Sequence, residues 1–401
     1  MHAVGRLFLA LTLATFCASI GRADWRQFRG GASSAIADQL KLPEDWESSQ
    51  RWKVDLPGRG PSSPIVVDGR VIVTCSSGPK QDRLHVVCFS EDDGQQLWHR
   101  QVWATGRTFC HPSSSIAAPT PASDGKRVFA FFSSNDLLSL DLDGNLQWYR
   151  GLTYDYPHAG NDVGMSSSPL VVGDRVVVQV ENQGDSFAAG LDVETGETRW
   201  RIDRDRRASW SSPVLLPAES SSAYAVLLQA PGGLTAIDSR DGKELWSVET
   251  ECPAIPSATA RKDLIVFASG GALALRPNAG GEPERIWQAA KLSIGSASPV
   301  LYQDNAYVLN SAGVLKCGSL ADGDVLWELR LKGRFWATPI VCSNGLLCVN
   351  SDGLLQIVSR GDKPKVDQTY DIGEVIQGTP AVSNGAIFLR SDAHLWKFSS
   401  N

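Results

Sequence analysis

From about residue 50 onward the chain alternates short apolar runs with polar turns, and the alternation repeats. In Ser63-Pro64-Ile65-Val66-Val67-Asp68-Gly69-Arg70-Val71-Ile72-Val73, a Ser-Pro step leads into an apolar run, an Asp-Gly turn and a second β-branched run. The phrase returns at Thr120-Pro121, Ser168-Pro169, Ser212-Pro213, Ser298-Pro299, Thr338-Pro339 and Thr379-Pro380, with Ser257-Ala258 as a copy lacking the Pro. A second phrase follows most copies: an alternating strand, a turn with Gly, then Trp four residues after the Gly. The pairs are Gly94/Trp98, Gly144/Trp148, Gly196/Trp200, Gly242/Trp246 and Gly323/Trp327; Trp287 is a looser version, and Gln368 stands where the seventh Trp is expected. A period of two marks half-buried antiparallel strands. Asp-Gly and Thr-Gly supply the positive φ that hairpin turns need. No segment sustains a 3.6-residue apolar period, so almost no helix is expected.

Each unit of roughly 45 residues reads as four short strands, and one such sheet cannot bury both of its faces. Eight packed side by side around an axis can. The expected fold is therefore all-β: an eight-bladed β-propeller of four-stranded antiparallel blades. The last copy ends at Leu395-Trp396-Lys397-Phe398 without an outer strand, and Trp52 precedes the first Pro with no repeat before it. Arg51–Val54 is accordingly expected to complete the eighth blade and cover its edge. The recurring Trp residues are read as blade-packing markers rather than a ligand platform. Residues 46–401 form one propeller domain in this reading, with 24–45 as a lead segment.

Composition refines the picture. The chain has 401 residues, with Lys+Arg 38 against Asp+Glu 44 and a formal net charge of −6, a poor match for general binding to nucleic-acid backbones. Residues 1–23 read as a signal peptide: His2 and Arg6 precede the apolar run Leu7 to Phe16, and Gly21-Arg22-Ala23 places cleavage after Ala23. That implies a periplasmic or secreted protein with no transmembrane segment after cleavage. Beyond the signal, Cys75, Cys88, Cys110, Cys252, Cys317, Cys342 and Cys348 include no C-x-x-C; an odd number leaves at least one thiol outside any internal disulfide.

The phrase Leu191-Asp192-Val193-Glu194-Thr195-Gly196-Glu197-Thr198-Arg199-Trp200 resembles the repeat of the pyrroloquinoline-quinone-type (PQQ-like) propeller family, and the likeness runs over roughly residues 46 to 401. Asp24-Trp25-Arg26-Gln27-Phe28-Arg29-Gly30 resembles the mature start of many exported bacterial propellers of this type. The resemblance points two ways: to eight-bladed quinoprotein dehydrogenases, and to the non-enzymatic propeller lipoprotein of the outer-membrane β-barrel assembly machinery. The dehydrogenases carry an adjacent Cys-Cys pair over the quinone and a Glu/Asn/Asp set for calcium. Here no two Cys are adjacent and the chain is too compact for most of their inserted loops, so PQQ with Ca²⁺ is disfavoured. The assembly lipoprotein matches in size and blade count, but Phe16 before Cys17 departs from the acylation motif.

No nucleotide-binding, serine-hydrolase or zinc-protease motif is present, so no catalytic residue is assigned. Candidate binding residues lie instead in the loops from each outer strand to the next inner strand, which open around the channel. Two are long and on consecutive blades: Val102–Ala118, with Arg107 and His111, and Arg150–Ser167, with Tyr154, Tyr156, His158, Asn161 and Asp162. Trp210, Arg334, Trp336 and Gln377 occupy matching positions on other blades. Long loops on a rigid scaffold are where binding sites are built. Cys110, His111 and His158 lack metal-ligand spacing, so no metal site is assigned. The expected function is an exported, non-enzymatic scaffold for a protein or peptide partner or an extracellular small molecule or glycan, with cell-envelope or outer-membrane assembly as its setting. The alternative is a quinone-dependent oxidoreductase or carbohydrate-active enzyme, with Asp162 or His158 as base and Arg107 or Arg334 as anion clamp.

Overall fold

Strand order follows the repeat. The structure, a computed structural model, describes residues 24–160, 162–217, 225–278 and 281–400; the signal peptide and Asn161 lie outside them. Blade 1 contains Ile65–Val67, Arg70–Ser77, Arg83–Ser90 and Gln96–Trp103, each antiparallel to the next. Six further blades follow between residues 122 and 371 in the same way. Blade 8 is completed from the other end of the chain. Gln50–Asp55 pairs antiparallel with His394–Ser399, Lys53 opposite Trp396 and Val54 opposite Leu395. The ring is thus an eight-bladed propeller. Among the described residues, helix is confined to Trp46–Ser49 and Leu152–Asp155.

The apolar core lies in the wedges between blades. One cluster joins Leu170, Val177 and Trp200 of blade 3 to Val226, Leu228 and Ile237 of blade 4. The largest joins blades 7, 8 and 1 and takes in Trp25, Trp46, Trp52 and Phe388.

Two repeated contacts explain the two repeated phrases. At the periphery, the outer-strand Trp of one blade lies on the turn glycine of the next. Trp200 Nε1 donates to Ser239 O at 2.7 Å, and its ring covers Gly242, where a Cβ would sit 2.7 Å from the ring. Trp52, Trp98, Trp148 and Trp287 make the same indole-to-carbonyl bond to the following blade. Around the channel, the Ser or Thr hydroxyl of each repeat accepts the backbone N–H of the equivalent residue one blade earlier. Ser63 N donates to Thr120 Oγ1, Thr120 N to Ser168 Oγ, Ser168 N to Ser212 Oγ and Ser212 N to Ser257 Oγ, all at 2.9–3.0 Å. The belt continues through Ser298, Thr338 and Thr379. It includes Ser257, so the copy without Pro keeps the hydroxyl. At the eighth seam, between Thr379 and Ser63, the link is missing and Ser63 Oγ has no hydrogen-bond partner.

The lead segment fills the channel. Trp25 exchanges both backbone hydrogen bonds with Val66 of blade 1, and Arg26 O accepts from Ser123 N of blade 2. The fully buried Arg29 reaches Thr259 Oγ1 at 2.6 Å and Ala258 O at 2.7 Å on blade 5. Ile36–Ala37 adds a parallel fifth strand inside blade 7, against Val341 and Cys342. Leu42 N then bonds Asn344 Oδ1 in the inner turn of that blade. Residues 24–42 therefore tie four blades together from inside, while 50–55 close the ring from outside.

The Trp–Gly contact yields a paired prediction. Gly242 has φ +73° beneath the Trp200 ring, whereas Gly385 has φ +75° with nothing within 4 Å of a Cβ. Gly385→Ala should cost about 1–2 kcal/mol of backbone strain. Gly242→Ala should cost roughly twice that, because overpacking adds to the same strain. Thermal melting of the two variants checks the order; equal melting temperatures would mean that the Trp contact contributes little.

Candidate functional site

Repeat and lead together build the site. Each Ser/Thr-Pro step ends an outer-to-inner loop, so the belt hydroxyls ring the channel mouth. Phe28, carried inward by the lead segment, lies beneath them. The result is a cavity of about 420 Å³. Its wall combines the belt positions Ser63, Thr120, Ser168, Ser212, Ser257, Ser298, Thr338 and Thr379 with Phe28, Met165, Trp210, Ile255 and Trp336. Trp210 is fixed by a bond from its Nε1 to Gly164 O at 2.8 Å. Trp336 is 44% exposed and Ile255 37%, so apolar surface faces solvent at the rim. Among the described residues the wall contains no Asp, Glu, Lys or Arg, and His111 is its one histidine. His111 Nδ1 lies 2.7 Å from Ser113 Oγ.

The eleven expected residues divide. His111, Trp210, Trp336 and Gln377 line the cavity together. The two long loops do touch: His111 N donates to Val163 O at 3.0 Å, and Arg107 pairs with Asp162 at 2.8 Å. That ion pair is exposed on both sides and lies outside the cavity wall, so neither side chain is set there as clamp or base. Tyr156 turns away onto blade 3, packing at a tilt on Phe187 with ring centroids 4.3 Å apart and with the Arg201 guanidinium 4.8 Å from its ring. Tyr154, His158 and Arg334 are exposed and likewise absent from the wall. Sequence reading missed Phe28 and the belt hydroxyls. The hydroxyls had a signal, since they head every repeat; Phe28 had none beyond its place in the lead segment.

The donor set does not suit a calcium-held quinone. Calcium takes six to eight oxygens, commonly including carboxylates, and the described wall offers hydroxyls, the Gln377 amide and one imidazole but no carboxylate. Among the described residues no group of three or more His, Cys, Asp or Glu could hold a metal ion. The seven cysteines among the described residues are free thiols, and six are buried. Burial pushes Cys88, Cys252 and Cys348 up to about 12, which leaves them poor nucleophiles.

One titratable relay stands outside the cavity. His85 Nδ1 lies 2.9 Å from His99 Nε2, and His85 Nε2 lies 2.8 Å from Ser77 Oγ. Burial, then the neighbouring His99 and Arg83, lowers His85 to about 4, and burial also lowers His99.

Fold and cavity define a PQQ-type propeller with a neutral, aromatic and hydroxyl-lined mouth. The chain belongs to the family described as outer membrane protein assembly factor BamB, which matches residues 45–163, 158–261 and 274–366. Among solved structures, BamB from Moraxella catarrhalis is similar at 16% identity with a TM-score of 0.64, over 88% of this chain and 97% of that one. A europium-containing methanol dehydrogenase is similar at 12% identity with a TM-score of 0.71, over 94% and 98%. The quinohemoprotein alcohol dehydrogenase of Comamonas testosteroni is similar at 12% identity with a TM-score of 0.68, over 94% and 81%. At these identities the likeness is one of fold. No curated protein matches the chain.

The His85 shift sets a pH dependence. An unfolded histidine takes up its proton near 6.5, whereas folded His85 resists it down to about 4. Between those values the unfolded chain binds the extra proton, so stability falls as pH falls through this window. His85→Gln should lose less melting temperature than the wild type between pH 7.5 and 4.5. Parallel curves would assign the acid sensitivity elsewhere.

Proposed function

We propose that this chain is an exported, non-enzymatic binding scaffold of the bacterial cell envelope that presents its channel mouth to a protein partner in outer-membrane protein assembly. The observation that carries the reading is the wall of the cavity. It offers aromatic and aliphatic surface with many hydroxyls, no carboxylate, ammonium or guanidinium among its described residues, and a single group able to act as acid or base, the His111 imidazole, which is paired with Ser113. Such a wall suits recognition better than turnover. The family description supports the assembly setting. Trp336, Ile255 and Val163 form a partly exposed apolar rim, the kind of surface at which aromatic anchors dominate binding. No helix among the described residues is long and apolar enough to cross a membrane, in keeping with a periplasmic location after signal cleavage.

A photoreactive residue at position 336 tests this reading. In intact envelopes it should crosslink to a component of the barrel-assembly machinery. The same residue at Lys243, in a turn at the other end of blade 4, should not. Equal crosslinking from both positions, or none from 336, would overturn the reading. So would stoichiometric uptake of quinone with Ca²⁺ by the purified protein, together with dye-linked alcohol oxidation.

A further inference from the structure

The hydroxyl belt is closed at seven seams and open at one. Ser63 Oγ is buried (1% exposed), lines the cavity and has no hydrogen-bond partner. A buried hydroxyl in that state costs free energy unless something satisfies it.

A second cavity, of about 260 Å³, lies at the same seam. It shares Pro61, Ser113 and Gln377 with the first, so the two adjoin along one wall. Unlike the first it is charged: Arg59, Arg390 and Asp392 line it. Arg390 is 2% exposed and is held by its surroundings. Its Nε donates to Ser391 O at 3.2 Å, one terminal nitrogen bonds Ser62, and the other lies 3.4 Å from Cys75 Sγ. No carboxylate is among these partners. Arg59 Nε pairs with Asp392 at 2.9 Å, and Asp392 also accepts from Gly60 N at 3.0 Å. Two guanidinium groups against one carboxylate leave one positive charge beside a neutral, aromatic chamber. Burial opposes the charge on Arg390, and an anion in the side pocket would relieve that.

We propose that the seam between blades 8 and 1 is a carboxylate subsite of the mouth cavity. Its ligand is a monocarboxylate on an apolar or aromatic body. The body rests against Phe28, Trp210 and Trp336, and the carboxylate faces Arg59, Arg390 and the unpartnered Ser63 hydroxyl. Arginine is the side chain best shaped for carboxylates, and hydrogen bonds with an ionised partner are the strong ones. The proposal rests on the reading of this mouth as a binding site and specifies one end of what it binds. Two sources fit the chemistry: a free small acid, or the C-terminus of a peptide chain.

Calorimetric titration with N-acetylphenylalanine and with its neutral amide tests the subsite. The acid should bind about ten-fold more tightly than the amide. Arg59→Ala and Ser63→Ala should each weaken the acid several-fold and leave the amide unchanged. Ser63→Ala breaks no bond, so its melting temperature should match the wild type. Ser212→Ala strands the buried Ser168 N–H, so it should melt lower while keeping the preference for acid over amide. Equal binding of acid and amide, absence of binding by both, or a preference that survives both seam variants would overturn the proposal. A Gly-Gly-Gly-Phe peptide with a free or amidated terminus separates the sources. Tighter binding of the free peptide than of N-acetylphenylalanine marks a chain terminus, and weaker binding marks a small acid. If the acid preference is absent while position 336 still crosslinks its partner, the subsite falls and the scaffold reading stands.

Discussion

The backbone N–H to hydroxyl bond between successive Ser/Thr-Pro steps is the contact on which the ring depends. Near the channel axis inner strands converge, and their loop ends carry polar backbone groups that would otherwise be buried without partners. One small hydroxyl per blade satisfies its neighbour, at a net worth of about 1 kcal/mol per link. Proline at the next position keeps that residue extended and points the chain down the inner strand. The peripheral Trp–Gly contact is the outer counterpart: it sets the spacing of blades where they diverge. Inner belt and outer contact together fix the wedge angle, which is why both phrases recur in most units while the residues between them drift.

A ring built from one chain has a seam, and this seam is secured twice. The outer strand of blade 8 comes from residues 50–55, and the channel side is spanned by residues 24–42. The inner route is less ordinary energetically, since it buries the Arg29 guanidinium without a carboxylate and burial lowers it to about 9. Its bonds to Thr259 and Ala258 compensate in part, although its Nε is left without a partner. The bridging geometry is what that cost maintains: Arg29 links the entry side of the channel to blade 5 on the far side.

Much of this was legible in the residues themselves, because the repeat is a packing unit. The Pro and Trp series specify blade number, strand order and the borrowed outer strand, since each depends on local alternation and a fixed step. The site was legible mainly at positions that inherit the repeat: Trp210, Trp336 and Gln377 sit where phase puts them, at loop ends, and of the long-loop candidates His111 joins them. The long loops were different. Their charged and aromatic residues looked like ligand groups, yet Arg107 and Asp162 neutralise each other in solvent and Tyr156 packs on its own neighbouring blade. Which partner a loop side chain finds is a tertiary question that spacing does not answer. Phe28 was hidden for a similar reason, because nothing local reveals that the lead segment passes through the channel.

Chemistry at the mouth follows from the same geometry. Eight small hydroxyl residues on a circle leave room above the plug, and because they already hold one another they present a rigid, uncharged lining. Its one ionisable side chain among the described residues is His111. The lining does preorganise apolar surface, and preorganisation is what a binding surface uses to limit the entropy cost of association. The wall departs from neutrality where the belt is broken, with Arg390 and Arg59 behind the open link. The break in the belt is therefore also where the proposed carboxylate subsite would let the mouth distinguish one end of a ligand from the other.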